Sequence, residues 1–407
     1  MNTIETTDHN ILREDRVADP YEYFAYMRAE HPVHWNEEFR AWFVYRHADV
    51  TAALRNPALS SDRIKPIYES KLTPQQQRER KPTFDILGNW MVFMDPPDHT
   101  RLRKMVMPAF APKAVERMRP RVESVVRETL DRVVDRTELD LVEDVAYPIP
   151  AVVIAELMGV PPEDRDLFKR WSDQILVLVF GARGVEGRRA EAQQGLTDLA
   201  DYLRELIATF RKMPGDNLIS ALLAADEDAP LTDDEIVSTC VLLVFGGHET
   251  TTNLIANGTK VLLEHPHQLA RLRADRSLIR GTVEELLRFD GPSKMEMRRV
   301  IAPVDLGGQT LGVGEQVYLV QGSANRDDAA FESPETFDIT RTPNRHVGFG
   351  FGLHHCLGNF LARLEASVAI ESIVDRLPGL VPATTLPHWH PTLISRGMTA
   401  YPVRVES

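Results

Sequence analysis

The chain of 407 residues has only two cysteines, Cys240 and Cys356. Two distant thiols cannot build a disulfide framework or a zinc ribbon of paired cysteines, so any cysteine chemistry rests on one residue. No apolar run approaches the roughly 20 residues of a membrane span, and the opening MNTIETTDHN has no basic segment followed by an apolar one. A cytoplasmic protein with no membrane partner is the expectation. Basic residues are also short: 47 Lys and Arg against 60 Asp and Glu leave a net charge of −13, which argues against a surface built to neutralise nucleic-acid phosphates. Internal repeats, low-complexity tracts and Gly/Ser- or Pro-rich linkers are absent. A prior of roughly 150 residues per domain suggests two or three domains. Without a linker to divide it, residues 1–407 read instead as one domain, with 1–18 a loosely ordered N-terminal segment and the whole a monomer.

What is present is a large apolar fraction, 43%, arranged mostly with helical periodicity. Val115, Met118, Val122, Val125, Val126, Leu130 and Val133 recur at three- and four-residue steps, and similar patterns cover 191–212, 266–276 and 359–376. Strand signals are short: Val33–Trp35, Trp42–Tyr45, and the stretch 299–320 punctuated by Gly307 and Gly308. The fold class is therefore mainly α (α+β), a helix-rich core with small β-sheets. The polar segment 65–89 has little periodicity and reads as a loop carrying a short helix, a binding element by its length.

The most informative stretch is RHVGFGFGLHHCLGNFLARLE, residues 345–365. A glycine-rich loop reaches Cys356 and then becomes a helix, so the thiolate meets unpaired backbone N–H groups and the positive end of the helix dipole. Gly350, Gly352 and Gly358 let the backbone turn tightly and approach a flat ligand. Taken alone, a cysteine after a turn reads first as a buried structural residue. A zinc site from His346, His354, His355 and Cys356 fits poorly, because three consecutive residues rarely point at one tetrahedral ion, and a cysteine protease lacks its usual local sequence. The pattern Phe349-Gly350-x-Gly352-x-His354-x-Cys356-Leu357-Gly358 resembles the haem-thiolate loop of cytochromes P450. The resemblance implies haem b with Cys356 as the iron ligand, Phe349 shielding the sulfur, and amides near Leu357 and Gly358 tuning it.

Three further stretches keep the family's order. A long helix starting at Thr232, where TDDE is a capping box, and ending near Pro266 carries Gly246-Gly247-His248-Glu249-Thr250-Thr251. Two interior glycines each cost roughly 1 kcal/mol relative to alanine, which contact with another body can offset. A plain helix contact explains them as well, but the motif is similar to the family's oxygen-activating stretch, with Glu249 and Thr250 as the acid–alcohol pair that delivers protons. Glu285 and Arg288, three apart on a helix, match the family's Glu-x-x-Arg, with Arg341 of Phe337-Asp338-Ile-Thr-Arg341 as third member; these are structural by resemblance. In Asp95-Pro96-Pro97-Asp98-His99-Thr100-Arg101-Leu102-Arg103, His99 and Arg103 project together as a cationic clamp for a carboxylate. By resemblance they bind haem propionates, with His354 and Arg298. Arg299 stands beside Arg298, and in a strand only one of them faces inward.

The resemblance runs from Asp19 to Met398. It implies a soluble, bacterial-type monooxygenase that inserts one atom of O2 into a small-to-medium, mostly hydrophobic organic substrate, hydroxylation above all. Electrons would come from a ferredoxin with its NAD(P)H-dependent reductase, docking on a basic patch of Arg101, Lys104, Lys113, Arg345 and His355. Pocket candidates by family position are 65–91, 177–187, Phe245, Gly246, Ser293, Lys294, Met295, Leu393 and Ile394. Lys294 is either a partner for a substrate carboxylate or, the preferred reading, turned away or paired with Glu296.

Overall fold

The computed structural model describes residues 10–180, 188–225, 228–383, 387–392 and 394–406. The predicted pocket residue Leu393, residues 181–187 and the first nine of the N-terminal segment lie outside these. The helices that matter for the site are, in chain order, α1 (Tyr21–Glu30), α2 (Ile64–Lys71), α3 (Pro74–Gly88), α4 (Asp98–Val106), α5 (Pro148–Met158), α6 (Arg165–Phe180), α7 (Arg188–Lys212), α8 (Asp233–Glu264), α9 (Ile279–Asp290) and α10 (Asn359–Arg376). No helix among the described residues is long and apolar enough to cross a membrane.

The chain falls into two compact units: one of Met1–Ser60, Val126–Pro148 and Thr250–Ser407, the other of Ser61–Val125 and Ile149–Glu249. The first unit carries the sheets. Strands β1 (Val33–Asn36), β2 (Ala41–Val44), β3 (Leu59–Ser60), β4 (Glu296–Val300) and β5 (Gln316–Leu319) order as β1-β2-β5-β4-β3. Only β2 and β5 run parallel, Trp42 beside Val317; β4 lies antiparallel to β5, Arg298 beside Val317. Alternation along β4 buries Arg298 and Val300 and leaves Arg299 half-exposed. An apolar cluster including Val33, Val44, Val300, Val317 and Val347 packs on the sheet, and a second, of Leu254, Leu286, Leu287, Phe337, Ala366 and Ile370, joins α8, α9 and α10.

The second unit is helical. Its last helix, α8, begins where the spacing predicts: Glu235 N–H donates to Thr232 Oγ1 at 3.2 Å while the Thr232 N–H reaches Glu235 Oε2 at 2.9 Å, so two orphan donors are satisfied reciprocally. The predicted helix over 115–133 is broken into Pro112–Arg117 and Arg119–Asp131. The segment 65–89 differs from expectation, since it is almost wholly helical as α2 and α3. Thr73 caps α3 in a box with Gln76, and Pro74 occupies the first turn, where its missing N–H costs nothing. Few apolar residues anchor the pair, among them Tyr68 and Phe84 with ring centres 4.9 Å apart, so there was almost no periodicity to read.

Candidate functional site

In the first unit, Cys356 sits just ahead of α10 in a turn closed by its own N–H, which donates to the Phe349 carbonyl at 2.9 Å. Its carbonyl accepts from Asn359 Nδ2 at 2.8 Å. The turn needs glycine twice: Gly350 and Gly352 hold φ of 68° and 75°, in the left-handed region. A Cβ at Gly350 would also meet Glu296 Oε1 at 2.8 Å. The Cys356 side chain is half-buried, whereas Cys240, inside α8, is fully buried and burial pushes its thiol up to about 12. The two thiols are thus chemically unequal: one accessible, the other inert. His354 and His355 lie half-buried beside Cys356, with the Phe349 and His355 rings 6.4 Å apart.

Of the two neighbouring arginines, Arg298 is the buried one, with Nη2 on Glu296 Oε2 at 2.7 Å. The Glu285–Arg288 pair is fully buried at 2.8 Å, and Arg341 Nε joins Glu285 at 3.1 Å. Arg288 also donates to the carbonyls of Asn325, Pro334 and Thr336, so every arm of the fork is used. Ser293 and Ser395 form a bridge, and the Lys294 N–H reaches the Ile394 carbonyl, so the predicted pocket segments do come together.

Lys294 and Met295 nevertheless face the core. Met295 packs in a cluster with Phe24, Phe43 and Tyr45. Lys294, 1% exposed, sets Nζ 2.8 Å from Asp290 Oδ1 and donates to the Tyr21 hydroxyl. Arg396 Nε reaches the same carboxylate oxygen at 3.0 Å. Burial pushes the Asp290 carboxyl up, but the charges of Lys294 and Arg396 and the hydrogen bonds of Lys294 and Tyr21 outweigh it and hold the group far below its ordinary value. Lys294 is therefore a structural cation, and its partner is Asp290 rather than the Glu296 of the preferred reading.

In the second unit, His99 and Arg103 share a face of α4 as predicted, but not as two cations: burial and the Arg103 charge draw His99 down to about 4, so its ring is neutral near pH 7. Arg101 is ion-paired with Glu235, which removes it from the predicted basic patch. On α8, Phe245 stacks on Trp90 with ring centres 5.2 Å apart. Gly246 is exposed, a Cβ on Gly247 would stand 3.4 Å from Ile154 of α5, and Glu249 and Thr250 are half-buried. His248 is buried, bonded to Ser172 at 3.0 Å and pushed down to about 3 by burial and Lys169. A cavity of about 670 Å³ lies among α2, α3, α7 and the start of α8, with Tyr68, Phe84, Ile86 and Val237 in its lining and Lys65 and Arg204 at its rim. The predicted segment 65–91 lines it; Phe245 and Gly246 do not.

Sequence comparison agrees with this geometry. The family described as cytochrome P450 matches residues 59–388. The chain belongs to the cytochrome P450 family. It is 40% identical to cytochrome P450 107B1 of Saccharopolyspora erythraea over 99% of both chains, and 39% identical to the cytochrome P450 monooxygenase PikC of Streptomyces venezuelae over 98% of this chain and 94% of that one. Among solved structures, P450BioI in complex with an acyl carrier protein bearing hexadec-9Z-enoic acid superposes with a TM-score of 0.89 at 35% identity, covering 96% of this chain and 99% of that one. CalO2 superposes with a TM-score of 0.91 at 31% identity, covering 98% and 99%. The P450 is accordingly an oxidoreductase whose cofactor is thiolate-ligated haem. Its loop residues fit that group: a soft thiol, accessible in a rigid turn, is the kind of donor that haem-thiolate ligation takes from the protein. Among the described residues no cluster of three or more His, Cys, Asp or Glu side chains is arranged to hold a bare metal ion. Sequence reasoning missed the buried Glu365, the His248–Ser172 pair, and the contacts of Glu284 and His346 behind the cysteine loop. His346 and Glu365 stand inside the stretch 345–365 and His248 inside the α8 motif, but nothing in the spacing says which partners the fold brings to them.

Proposed function

We propose that the P450 is a monooxygenase that inserts one atom of O2 into a small-to-medium, mostly hydrophobic organic substrate, with hydroxylation as its main reaction and a ferredoxin-type donor as its source of electrons. The observation that carries this reading is the closed turn that presents Cys356. Haem supplies the chemistry of O2 reduction and oxygen transfer when bound. Cys356 would hold its iron through Sγ, as the soft, electron-donating ligand of that group. His99, Arg103, Arg298 and His354 are the residues that would hold the propionates. The histidines would donate ring N–H and the arginines a charged fork.

Glu249 and Thr250 supply protons, Glu249 through its carboxyl and Thr250 through Oγ1, each within one step of the other along α8. Substrate enters past the cavity of the helical unit, where Tyr68, Phe84, Ile86 and Val237 favour a hydrophobic body. The same preference accommodates molecules like those held by neighbours, which include corticosterone and a fatty acid on a carrier protein. Electron delivery uses the face of Cys356. There Leu353 and Phe360 are exposed at 43% and 42%, Arg345 is exposed, and Arg55 lies 4.0 Å over the Phe351 ring.

The reduced carbon monoxide complex tests the ligand. Wild type should give the red-shifted thiolate band and Cys356→His should lose it while retaining haem; a band that survives the substitution removes the assignment. Screening compounds for the spin-state change on binding identifies the substrate class without a donor. With a substrate in hand, Thr250→Ala should keep O2 consumption while diverting it from product to hydrogen peroxide, and unchanged coupling would remove Thr250 from the proton path.

A further inference from the structure

Glu284 adjoins Glu285 in sequence but belongs to a different set of contacts, since successive helix residues point about 100° apart. Its carboxylate accepts Arg363 in a fork, Nε to Oε1 at 2.6 Å and Nη2 to Oε2 at 3.0 Å. Oε2 also meets His346 Nε2 at 3.0 Å. The other ring nitrogen, His346 Nδ1, accepts the Gly348 N–H at 3.1 Å, so in the neutral ring the proton sits on Nε2 and is given to Glu284. The third arm of Arg363, Nη1, donates to Asn359 Oδ1 at 2.7 Å, and Asn359 Nδ2 donates to the Cys356 carbonyl. The guanidinium also lies 4.4 Å over the Phe349 ring.

These contacts close a ring. From the Cys356 carbonyl it passes through Asn359, Arg363, Glu284, His346 and Gly348 to Phe349, whose carbonyl takes the Cys356 N–H. Both peptide groups flanking the Cys356 Cα are therefore tied, and the direction of its Cα–Cβ bond cannot change without breaking a member. α9, α10 and the loop each contribute, so the ring is a tertiary device and not a local turn.

We propose that Glu284, His346, Arg363 and Asn359 are positioning residues that fix the Cys356 sulfur and, by tying down both its peptide groups and the Phe349 ring under Arg363, set its strength as an electron donor to iron. The inference rests on the reading of Cys356 as ligand. Outer partners that orient a ligand typically matter tenfold or more in metal-site properties. Freed of the ring, the loop loses the thiolate more readily, and weaker donation makes the iron easier to reduce.

The test uses purified haem-loaded protein and three readouts: the reduction potential, the rate at which the reduced carbon monoxide complex passes from its red-shifted thiolate band to the blue-shifted form, and the unfolding temperature. Glu284→Gln and Arg363→Met should shift the potential to more positive values and speed the band conversion by about tenfold. Arg363→Lys keeps a cation over Phe349 and beside Glu284 but loses the fork, so it should fall between these and wild type. The Arg363 and Glu284 side chains are 31% and 30% exposed, so neither variant leaves a fully buried charge, and the unfolding temperature reports any loss of folding separately. An unchanged potential and conversion rate in Arg363→Met, with or without a lower unfolding temperature, overturns the inference, because a purely structural brace moves only the last readout. A wild type without any thiolate band instead defeats the ligand assignment itself, before any variant is made.

Discussion

Asp290→Asn should be among the most damaging single-atom-scale changes in this protein. Asp290 is 6% exposed, and its carboxylate is the shared counter-charge of Lys294 and Arg396, themselves 1% and 3% exposed. The amide keeps the shape and one acceptor but removes the charge, leaving two buried cations facing each other. Removing one partner of a buried ion pair costs about 3–5 kcal/mol, and two orphaned cations place this case at the upper end. Against a total stability of about 5–15 kcal/mol that is a large share. Over 407 residues the unfolding entropy is about 0.85 kcal/mol per kelvin, so the unfolding temperature should fall by about 5 °C.

The loss also has a pH signature. In wild type, burial brings the Lys294 ammonium down to about 8 against the pull of Asp290. Without that carboxylate Lys294 releases its proton at lower pH. Between that lower value and pH 8 the folded variant has shed a proton that its unfolded chain still holds. Its stability therefore rises by up to about 1.4 kcal/mol per pH unit relative to wild type. Urea unfolding at pH 6 and pH 8 measures both effects. A loss below 1 kcal/mol at pH 6, or a gap that widens by pH 8, would refute the reasoning. Lys294→Met provides the control: Asp290 keeps Arg396 and Tyr21, so the loss should be smaller, and binding of a carboxylate substrate should not change.

Gly350→Ala should cost about 1–3 kcal/mol from its left-handed backbone and, because the new Cβ meets Glu296, should also reduce the fraction of protein showing the thiolate band; full retention of both removes the claim that the turn requires glycine. Glu365, buried with Oε2 unpartnered, is raised to about 8 by burial. Its contribution is fully present below pH 4.5 and is lost as pH rises towards 8, since the unfolded chain ionises first. Glu365→Gln should therefore flatten the stability profile over that window and gain at most about 3 kcal/mol at pH 7, whereas parallel profiles would show that Glu365 is not held protonated. Phe360→Glu should slow reduction by an acidic ferredoxin severalfold at low salt with little change in unfolding temperature; an unaltered rate excludes this face as the docking site.

The parts of the site legible in the sequence are those whose residues lie close along the chain. The Cys356 turn, the Glu285–Arg288 spacing and the Thr232 capping box each depend on local geometry, and each is present in the fold. Arg341 was found through a second local motif. The Asp290–Lys294–Arg396 cluster was not legible: Lys294 lies four residues from Asp290, but across the end of α9, where helical spacing no longer says which way a side chain points. Arg396 and Tyr21 then arrive from opposite ends of the chain. His99 read as a cation because spacing shows that it projects with Arg103 but not how little solvent reaches it. α2 and α3 were hidden for a different reason: their helix signal is a cap and a first-turn proline, not an apolar stripe.

The contrast between the two cysteines gives the protein an internal gauge of its own assembly. With Cys240 sealed in α8, a mild disulfide reagent has a single fast target on the folded chain, and bound iron would claim that sulfur. Counting rapidly reacting thiols per folded molecule would then measure cofactor loading directly, as a fraction between one and zero, with no need for an activity or a substrate.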